Sequence, residues 1–152
     1  MKMKVKLDDG AYIPTRAHST DAGLDLYARN DAEIHSWSSA KFDTGVHVEI
    51  PAGYVGMLKS KSGLNVNHGI QSEGVIDSGY TGSVVVKLFN NSPSKYTVKK
   101  GQKITQLVIM PIITPDIEIV DSLEETERGD GGFGSTGDFA DRSIFEQRNR
   151  IV

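Results

Sequence analysis

The sequence alternates apolar and polar residues in short runs that frequent turn signals interrupt. The clearest alternating runs are residues 3–7 and 46–50, and residues 117–119 repeat the pattern briefly. A period of two residues is the signature of a half-buried strand. Denser, β-branched runs at 84–89 and 104–113 are typical of central strands. Short strands separated by turns predict an all-β fold, a distorted jelly roll or β-sandwich.

The sequence gives little support for helices. Residues 59–67 are compatible with one short helix over an otherwise irregular loop. Residues 143–150 are compatible with a second helix, because Ser143 and Glu146 have the spacing of a capping box. No long window sustains the helical period of 3.6 residues. We therefore predict at most a short helix beside the strands.

The sequence changes character after Glu124. Acidic residues at 124–127 precede RGDGGFGSTG, which has five glycines within residues 128–137. Glycine has no side chain to bury and loses much backbone entropy on folding, so this segment does not suit a sheet core. We predict a flexible arm whose arginine and phenylalanine close over a ligand. A flexible tail without such a role is the alternative, and it is the commoner meaning of a glycine-rich terminus.

The composition excludes several classes of function. The chain has 152 residues, which corresponds to one domain of ordinary size. It contains no cysteine, so disulfides, thiolate catalysis and cysteine-ligated metals are excluded. Its net charge of −3 lacks the basic surplus of a general nucleic-acid-binding protein, so we expect no direct DNA binding.

The apolar segments are short throughout. The first residues lack the apolar region of a signal peptide, and no apolar run approaches the ~20 residues of a membrane span. We therefore expect no membrane association and a cytoplasmic location, or the host cytoplasm if the source is viral or a phage.

Two patterns suggest chemistry that their surroundings do not support. Gly129, Gly131 and Gly134 have the spacing of the dinucleotide-binding fingerprint, but acidic residues precede them and no βαβ unit surrounds them. The four histidines share no metal-ligand spacing. Surface positions or hydrogen-bonded structural roles are the expectation for these histidines.

Three segments carry residues that suit a phosphate or nucleotide site. Residues 21–26 place two acids beside a glycine, residues 59–64 place two lysines and a hydroxyl where a short helix begins, and residues 74–82 place an acid and an aromatic in a glycine-flanked turn. Backbone amides at such a helix start, together with Ser62 and Lys61, are groups that receive anions. An Asx-turn, a helix cap and a hairpin explain each segment equally well when it is taken alone.

Together with residues 100–109 and 128–137, and in this order along the chain, these three segments resemble the five motifs of the trimeric dUTPase family. The five are DAGLDLYA at 21–28, GMLKSKSGL at 56–64, GVIDSGYTG at 74–82, KGQKITQLVI at 100–109 and RGDGGFGSTG at 128–137. The resemblance implies a β jelly roll that hydrolyses dUTP to dUMP and pyrophosphate with Mg²⁺, which keeps uracil out of DNA and supplies dUMP for thymidylate synthesis. It also implies a homotrimer whose active sites are shared between subunits.

The resemblance assigns roles to individual residues. Asp77 matches the general base that activates the water attacking the α-phosphorus, and Tyr80 matches the aromatic that packs on the deoxyribose and excludes a 2′-hydroxyl. Asp25 matches the aspartate linked through water to a magnesium ion that substrate phosphates otherwise hold. The other implied substrate-binding residues are Lys61, Ser62, Gly63 and Gln106 on the phosphates, the backbone of Gly74, Val75 and Ile76 on uracil, and Arg128, Phe133, Gly134, Ser135 and Thr136 in the arm.

The chain departs from the family pattern in three places. Lys61 stands where the family usually has arginine, which keeps the charge and loses the bidentate geometry. The loop at 68–73 is shorter than in many relatives, and Gln71 is its candidate for reaching the pyrimidine. The chain also continues past the fifth motif. We therefore predict a jelly-roll domain at 1–127, a lid at 128–137, and an extension at 138–152 that is a candidate site for a regulatory protein partner.

Two other functions stay open on the sequence. The dCTP deaminases share the fold, but they need an additional acid–base pair for attack at the base, and no such signature lies near Asp77. A regulatory binding module is the second alternative, and the extension at 138–152 is the feature that would test it. A jelly-roll protein without enzymatic activity leaves the five motifs unexplained.

Overall fold

The structure, a computed structural model, describes residues 2–139 and contains in them nine strands and one short helix. The strands are β1 (Lys4–Leu7), β2 (Gly23–Tyr27), β3 (Ala32–Ile34), β4 (Ser39–Glu49), β5 (Tyr54–Lys59), β6 (Ile70–Ile76), β7 (Ser83–Asn90), β8 (Tyr96–Val98) and β9 (Lys103–Pro111), and the helix is α1 (Ser62–His68). Seven strands form one curled antiparallel sheet in the order β1-β4-β7-β6-β5-β9-β2, and β3 pairs with β8. The prediction of an all-β distorted jelly roll with a short helix is confirmed.

Alternation along the central strands builds the core. In β7, Val84, Val86 and Leu88 are fully buried, whereas Val85 and Phe89, at positions of the opposite parity, remain partly exposed. Each fully buried side chain of this kind contributes about 1.5–3 kcal/mol relative to exposure. Buried residues of β2, β4, β5, β6 and β9 complete the same cluster. The period of two in the sequence therefore separates the core face of the sheet from its outer face.

Strand β6 changes partner halfway along its length. Residues Ile70–Ser72 pair with β7, and residues 73–76 pair with β5. Within the described residues, the edge of Gly74–Ile76 that faces away from β5 has no partner strand. The sheet opens at this point, beside the turn that connects β6 to β7.

The runs at 3–7, 46–50, 84–89 and 104–113 are confirmed as strands by β1, β4, β7 and β9, which cover all but a few of their end residues. The half-buried pattern predicted for 3–7 is wrong, because all four residues of β1 are exposed. The prediction of a strand at 117–119 is wrong in the structure described. Residues 112–121 form no strand, and both isoleucines of the run are almost fully exposed. A strand needs a partner edge to satisfy its backbone groups, and this segment has none in the structure described.

The short helix lies close to its predicted place. It covers Ser62–His68 rather than 59–67, because Lys59 still pairs with β6 and Gly69 ends the helix in a left-handed conformation with φ of 67°. Residues 70–73 belong to β6 and not to a loop. The helix predicted at 143–150 lies outside the described residues.

The chain divides into two compact units, residues 1–115 and the residues from 116 onward. The first unit contains all the strands and the helix. In the second unit, residues 116–125 form no regular element, and residues 126–137 form turns with backbone hydrogen bonds between residues three positions apart. The predicted domain boundaries at 127 and 137 stay predictions. Helix α1 has seven residues, and nothing in residues 2–139 is a helix of the length and apolarity needed to cross a membrane.

Candidate active site

Asp25 is the centre of a buried charge cluster on β2. Its side chain is only 6% exposed, and two lysines hold its oxygens: Lys61 Nζ lies 2.5 Å from Oδ1 and Lys103 Nζ lies 2.7 Å from Oδ2. Burial by itself raises the pKa of this carboxyl, but the hydrogen bonds and charges of Lys103 and Lys61 outweigh it and hold the pKa below its ordinary value. Asp25 is therefore ionised at neutral pH.

Asp25 should make the fold sensitive to acid. Since its pKa in the folded protein lies below the ordinary 3.8, the carboxylate stabilises the fold above that value, and this stabilisation is lost as the pH falls through the folded-state pKa. Melting temperatures measured from neutral to strongly acidic pH should therefore fall less steeply below pH ~4 in Asp25→Asn than in the wild type. Glu49→Gln, which breaks a surface ion pair with Lys4, is the control and should keep the wild-type slope. Equal slopes in Asp25→Asn and the wild type would contradict the role of the cluster.

A chain of hydroxyl groups fixes the backbone where it leaves β5 toward Lys61. Ser60 Oγ donates to the carbonyl of Ser72 at 3.1 Å and accepts the Ser72 amide at 2.9 Å. Thr105 donates to the carbonyl of Lys59 at 3.0 Å and shares a buried hydrogen bond of 2.7 Å with the Ser72 hydroxyl. Three neighbouring strands therefore hold the segment that presents Lys61.

The residues predicted to bind phosphate surround this segment. Lys61 caps α1 in an extended conformation, and Ser62 and Gly63 lie exposed in the first turn. Gln106 of β9 lies opposite Asp25 and donates from Nε2 to the carbonyl of Ser60 at 3.1 Å. The structure therefore brings together Asp25 and the four residues predicted to bind phosphate, next to the end of β5.

The residues predicted to contact the base and the water lie on β6 and the turn after it. Gly74, Val75 and Ile76 form the part of β6 whose edge lacks a partner strand, and Asp77 follows them at the surface. A side chain at Gly74 would press on Leu58, since an added Cβ would lie 3.1 Å from its Cδ1. The open strand edge and the exposed carboxylate are thus adjacent in the chain.

Tyr80 is held in one orientation within this turn. Its hydroxyl donates to the carbonyl of Ser83 at 2.9 Å, and its amide donates to the carbonyl of Asp77 at 3.0 Å. The ring lies against Gly82, where an added Cβ would lie 2.5 Å from the hydroxyl oxygen. The side chain nevertheless remains 45% exposed, so one face of the ring is available for a ligand.

The arm residues form turns of their own in the second unit. Arg128 Nε donates to the carbonyl of Gly131 at 2.9 Å, and the amide of Ser135 donates to the carbonyl of Gly132 at 3.1 Å. Phe133 is fully exposed and has a left-handed φ of 51°, a conformation that costs a non-glycine residue about 1 kcal/mol or more. Gly134 follows with φ of 97°, which suits glycine. Thr136 is exposed beside Ser135.

Within the first unit, the predicted site residues lie in two groups. Ile76 lies opposite Gly56 and Glu73 lies opposite Lys59, so the turn with Asp77 and the segment with Lys61 leave opposite ends of β5. Three residues of strand separate those ends by roughly 10 Å. The phosphate-side residues and the base-side residues are therefore two separate groups within the first unit, and the arm residues are a third group within the second unit.

Sequence reasoning missed several residues of these groups. Lys103 lies within the fourth motif, but its contact with Asp25 depends on a register shift between Leu26 and Tyr27 in the pairing of β2 with β9. Gly23 was noted only as the neighbour of two acids, although a side chain there would collide with Gln106. Neither contact leaves a signal in spacing or periodicity.

Gln71, the candidate for reaching the pyrimidine, lies in the first half of β6. Its amide nitrogen donates to Asn65 at 3.0 Å, and its amide oxygen accepts from Asn91 at 2.9 Å. These contacts connect α1 to the segment after β7. They occupy the Gln71 amide within the structure described.

Comparison with known proteins assigns the chain to a family of sequences. The dUTPase family model matches residues 9–137. The deoxyuridine 5′-triphosphate nucleotidohydrolase of Gloeothece citriformis is 43% identical over 141 residues, which cover 90% of this chain and 97% of that protein. The protein of the same name from Saccharomyces cerevisiae is 42% identical over 138 residues, which cover 89% of this chain and 94% of that protein.

Solved structures of phage proteins have the same fold. Staphylococcus bacteriophage 80alpha dUTPase with dUPNHPP superimposes with a TM-score of 0.84 at 33% identity, over 90% of this chain and 98% of that chain. A mutant dUTPase from phage phi11 of S. aureus, described with a structural Mg(II) ion, superimposes with a TM-score of 0.76 at 30% identity, over 82% of this chain and all of that chain.

Proposed function

Because the chain belongs to the dUTPase family, we propose that it hydrolyses dUTP to dUMP and pyrophosphate by attack of water on the α-phosphate. The observation that supports this activity best is the open edge of Gly74–Ile76, which leads directly into the exposed carboxylate of Asp77. The reaction removes dUTP before uracil enters DNA and supplies dUMP for thymidylate synthesis.

The open edge of β6 suits the recognition of uracil. Backbone amides and carbonyls at Gly74–Ile76 present donors and acceptors in a fixed order, as a strand does toward its neighbour. Uracil matches one such order, and cytosine exchanges a carbonyl for an amino group. A mismatched base leaves a polar group unpaired, which costs about 1–3 kcal/mol when that group is buried. The edge therefore supports a preference for uracil over cytosine.

The cluster around Asp25 suits the triphosphate. Lys61 and the exposed start of α1 offer a charge and a hydroxyl to phosphate oxygens, and Gln106 adds an amide nearby. Lys61 and Lys103 are partly exposed, and their flexible stems allow them to turn from Asp25 toward an anion. The role of this group is to bind and orient the phosphates.

The donor set fits a magnesium ion that the substrate carries. Asp25 is a single buried carboxylate, and no group of three or more potential ligands that could hold a metal occurs within residues 2–139. Magnesium keeps several waters and binds through one or two carboxylates plus substrate phosphates, so Asp25 would reach it through water. When bound, the ion neutralises charge on the phosphates.

The turn after β6 supplies the chemistry and the sugar selectivity. Asp77 takes a proton from the attacking water, and the exposure of its carboxylate next to the open edge of β6 supports this role. The exposed face of Tyr80 packs on the deoxyribose, so a 2′-hydroxyl meets the ring and UTP is rejected. Phe133 and Arg128 of the arm cover the base and meet the γ-phosphate, which excludes water during the reaction.

We also propose a homotrimer with shared active sites. The phosphate-side and base-side residues of one chain leave opposite ends of β5, and this separation supports a site that residues of a second subunit complete. Apolar residues on the outside of the described chain, including Val85, Ile112 and Ile113, supply surface for subunit contacts. Sedimentation at micromolar concentration should give three chains per particle, and a monomer that is fully active would contradict shared sites.

Release of pyrophosphate tests the proposed activity directly. The purified chain is incubated with Mg²⁺ and each canonical NTP or dNTP, with dUTP added to the set. Pyrophosphate should appear from dUTP far faster than from UTP, dCTP or dTTP. Ammonium release from dCTP would support the deaminase alternative, and no release from any nucleotide would contradict an enzymatic role.

Gly82→Ala should weaken sugar selectivity without unfolding the protein. The backbone of Gly82 is not left-handed, so alanine is allowed there, but its methyl group would displace the end of the Tyr80 ring. The ratio of kcat/KM for dUTP to that for UTP should fall by ~10-fold, with a melting temperature close to that of the wild type. Gly79→Ala is the control in the same turn, because an added methyl group there meets open space. An unchanged ratio in Gly82→Ala would remove the selectivity role of Tyr80.

Two proposals concern location and partners. A cytoplasmic location stays a prediction from the sequence. A regulatory protein partner at the extension stays a prediction, since residues 140–152 lie outside the described structure.

A further inference from the structure

The turn with Asp77 and Tyr80 has few connections to the rest of the protein. Its internal hydrogen bonds run from the Tyr80 amide to Asp77 and from the Tyr80 hydroxyl to Ser83. Among the described residues, one hydrogen bond from outside the β6–β7 connection and its two flanking strands reaches residues 77–82. It joins Nδ1 of His47 to the carbonyl oxygen of Thr81 at 2.8 Å.

A bulge in β4 places His47 opposite this turn. Asp43 pairs with Val85 and His47 pairs with Ser83, so three residues of β4 lie opposite the single residue Val84. A bulge of this kind interrupts the ladder and redirects the side chains after it. Without the extra residues, the alternation of β4 would carry a different side chain to the end of β7.

Buried contacts make the bulge a fixed feature. Thr44 is fully buried, and its hydroxyl donates to the carbonyl of Val84 at 2.7 Å and accepts the Val46 amide at 3.2 Å. Gly45 has φ of 65°, a conformation that favours glycine, and its amide donates to Asp43 at 2.9 Å. The backbone before His47 is therefore held on both sides of the bulge.

Asp8 holds the second nitrogen of the His47 ring. Nε2 of His47 lies 3.1 Å from Oδ1 of Asp8, and the Asp8 amide donates to the carbonyl of Gly45 at 2.9 Å. The imidazole is 19% exposed and lies between two acceptor oxygens, so the protonated ring donates at both contacts. The hydrogen bonds to Thr81 and Asp8 raise the pKa of His47, and the charge of Lys6 opposes them. Asp43 is the other charged group close to the ring.

We propose that His47 is a positioning residue for the substrate turn, fixing through the Thr81 carbonyl the placement of Tyr80 against the sugar. The inference rests on the proposed dUTP hydrolysis. His47 touches neither the base nor the phosphates in this role. It acts because Thr81 lies next to Tyr80, so a shift of the Thr81 peptide changes the distance between the ring and the 2′ position of the sugar. Sugar selectivity is therefore the property that His47 controls.

The test compares His47→Ala with His35→Ala, which changes an exposed histidine after β3. For each variant and the wild type, kcat and KM are measured with dUTP and with UTP, and the melting temperature is recorded on the same preparation. We expect His47→Ala to lower the dUTP-to-UTP ratio of kcat/KM by ~10-fold, because a misplacement of about 1 Å costs up to ~10²-fold. His35→Ala should keep the wild-type ratio. His47→Gln retains a donor toward Thr81 and should recover most of the selectivity.

The outcomes separate this inference from the proposed function. If the wild type hydrolyses dUTP and His47→Ala keeps its selectivity, the positioning role is wrong and the proposed activity stands. A lower melting temperature with an unchanged ratio likewise leaves His47 with a structural role alone and overturns the inference. If His47→Ala does not fold, His47→Leu replaces it, because leucine fills the volume of the ring without a hydrogen-bond donor. The same dUTP-to-UTP ratio of kcat/KM is then measured for His47→Leu. A wild type without activity on dUTP overturns both proposals.

Discussion

Replacement of Asp77 by asparagine should lower the rate of dUTP hydrolysis by ~10²- to 10⁴-fold, which corresponds to about 3–5 kcal/mol of activation free energy. Asparagine keeps the shape of the side chain but cannot accept a proton from water. Since Asp77 is exposed and follows β6 without a side-chain hydrogen bond in the described structure, the fold does not depend on its charge. The single-turnover rate measures the chemical step separately from binding and product release.

Binding and stability distinguish this role from a structural one. A non-hydrolysable dUTP analogue should bind Asp77→Asn as tightly as the wild type or more tightly, because one anion near the triphosphate is removed. If Asp77 only stabilised the turn, the melting temperature would fall together with the rate. Asp9→Asn is the matched control, since Asp9 is also an exposed aspartate in a glycine-containing turn after a strand. A near-wild-type rate in Asp77→Asn would exclude Asp77 as the general base.

Truncation after Glu127 should reduce kcat/KM for dUTP by ~10²-fold or more and leave the fold intact. The deletion removes Arg128 and Phe133, which are proposed to bind the γ-phosphate and cover the base. The strands and helix all lie within residues 1–115, so the loss of the arm removes no part of the described core. Steady-state kinetics with dUTP and a melting curve on the same preparation measure both effects.

Truncation after Gly137 is the matched control, because it retains the arm and removes only the extension. It should keep near-wild-type activity. If the longer truncation also kept its activity, residues 128–137 would not form a lid. If both truncations lost activity equally, the extension would carry the effect. Phe133→Ala and Arg128→Ala in the full chain then divide the contribution of the arm between the base and the phosphate.

The sequence predicts the strands of the core because burial leaves a regular pattern in it. The dense β-branched run at 84–89 predicts the central strand that carries Val84, Val86 and Leu88, and frequent turns indicate antiparallel connections. The run at 117–119 alternates apolar and polar residues, yet it forms no strand. A two-residue period of apolar and polar residues shows which face of a segment is apolar. It does not show whether a neighbouring strand is available for pairing.

The candidate site residues follow from the order of the motifs, whereas their surroundings follow from the register. Asp25, Lys61 and Asp77 are identified by type and neighbours in the sequence. The partners that hold them are not, because Lys103 reaches Asp25 through a shift between strands and His47 reaches Thr81 through a bulge. Register shifts arise from packing across distant strands, so a single sequence carries no local signal for them.

The open edge of β6 also bears on the colloidal behaviour of the protein. An unpaired strand edge is a template on which another chain adds its own backbone, and this is a common route to aggregation. Here the exposed stretch is short, begins with glycine and ends at the charged Asp77, three properties that disfavour such additions. The features that leave room for a nucleotide base therefore also protect the empty protein from unwanted self-association, and a saturating nucleotide should suppress whatever edge-to-edge pairing remains.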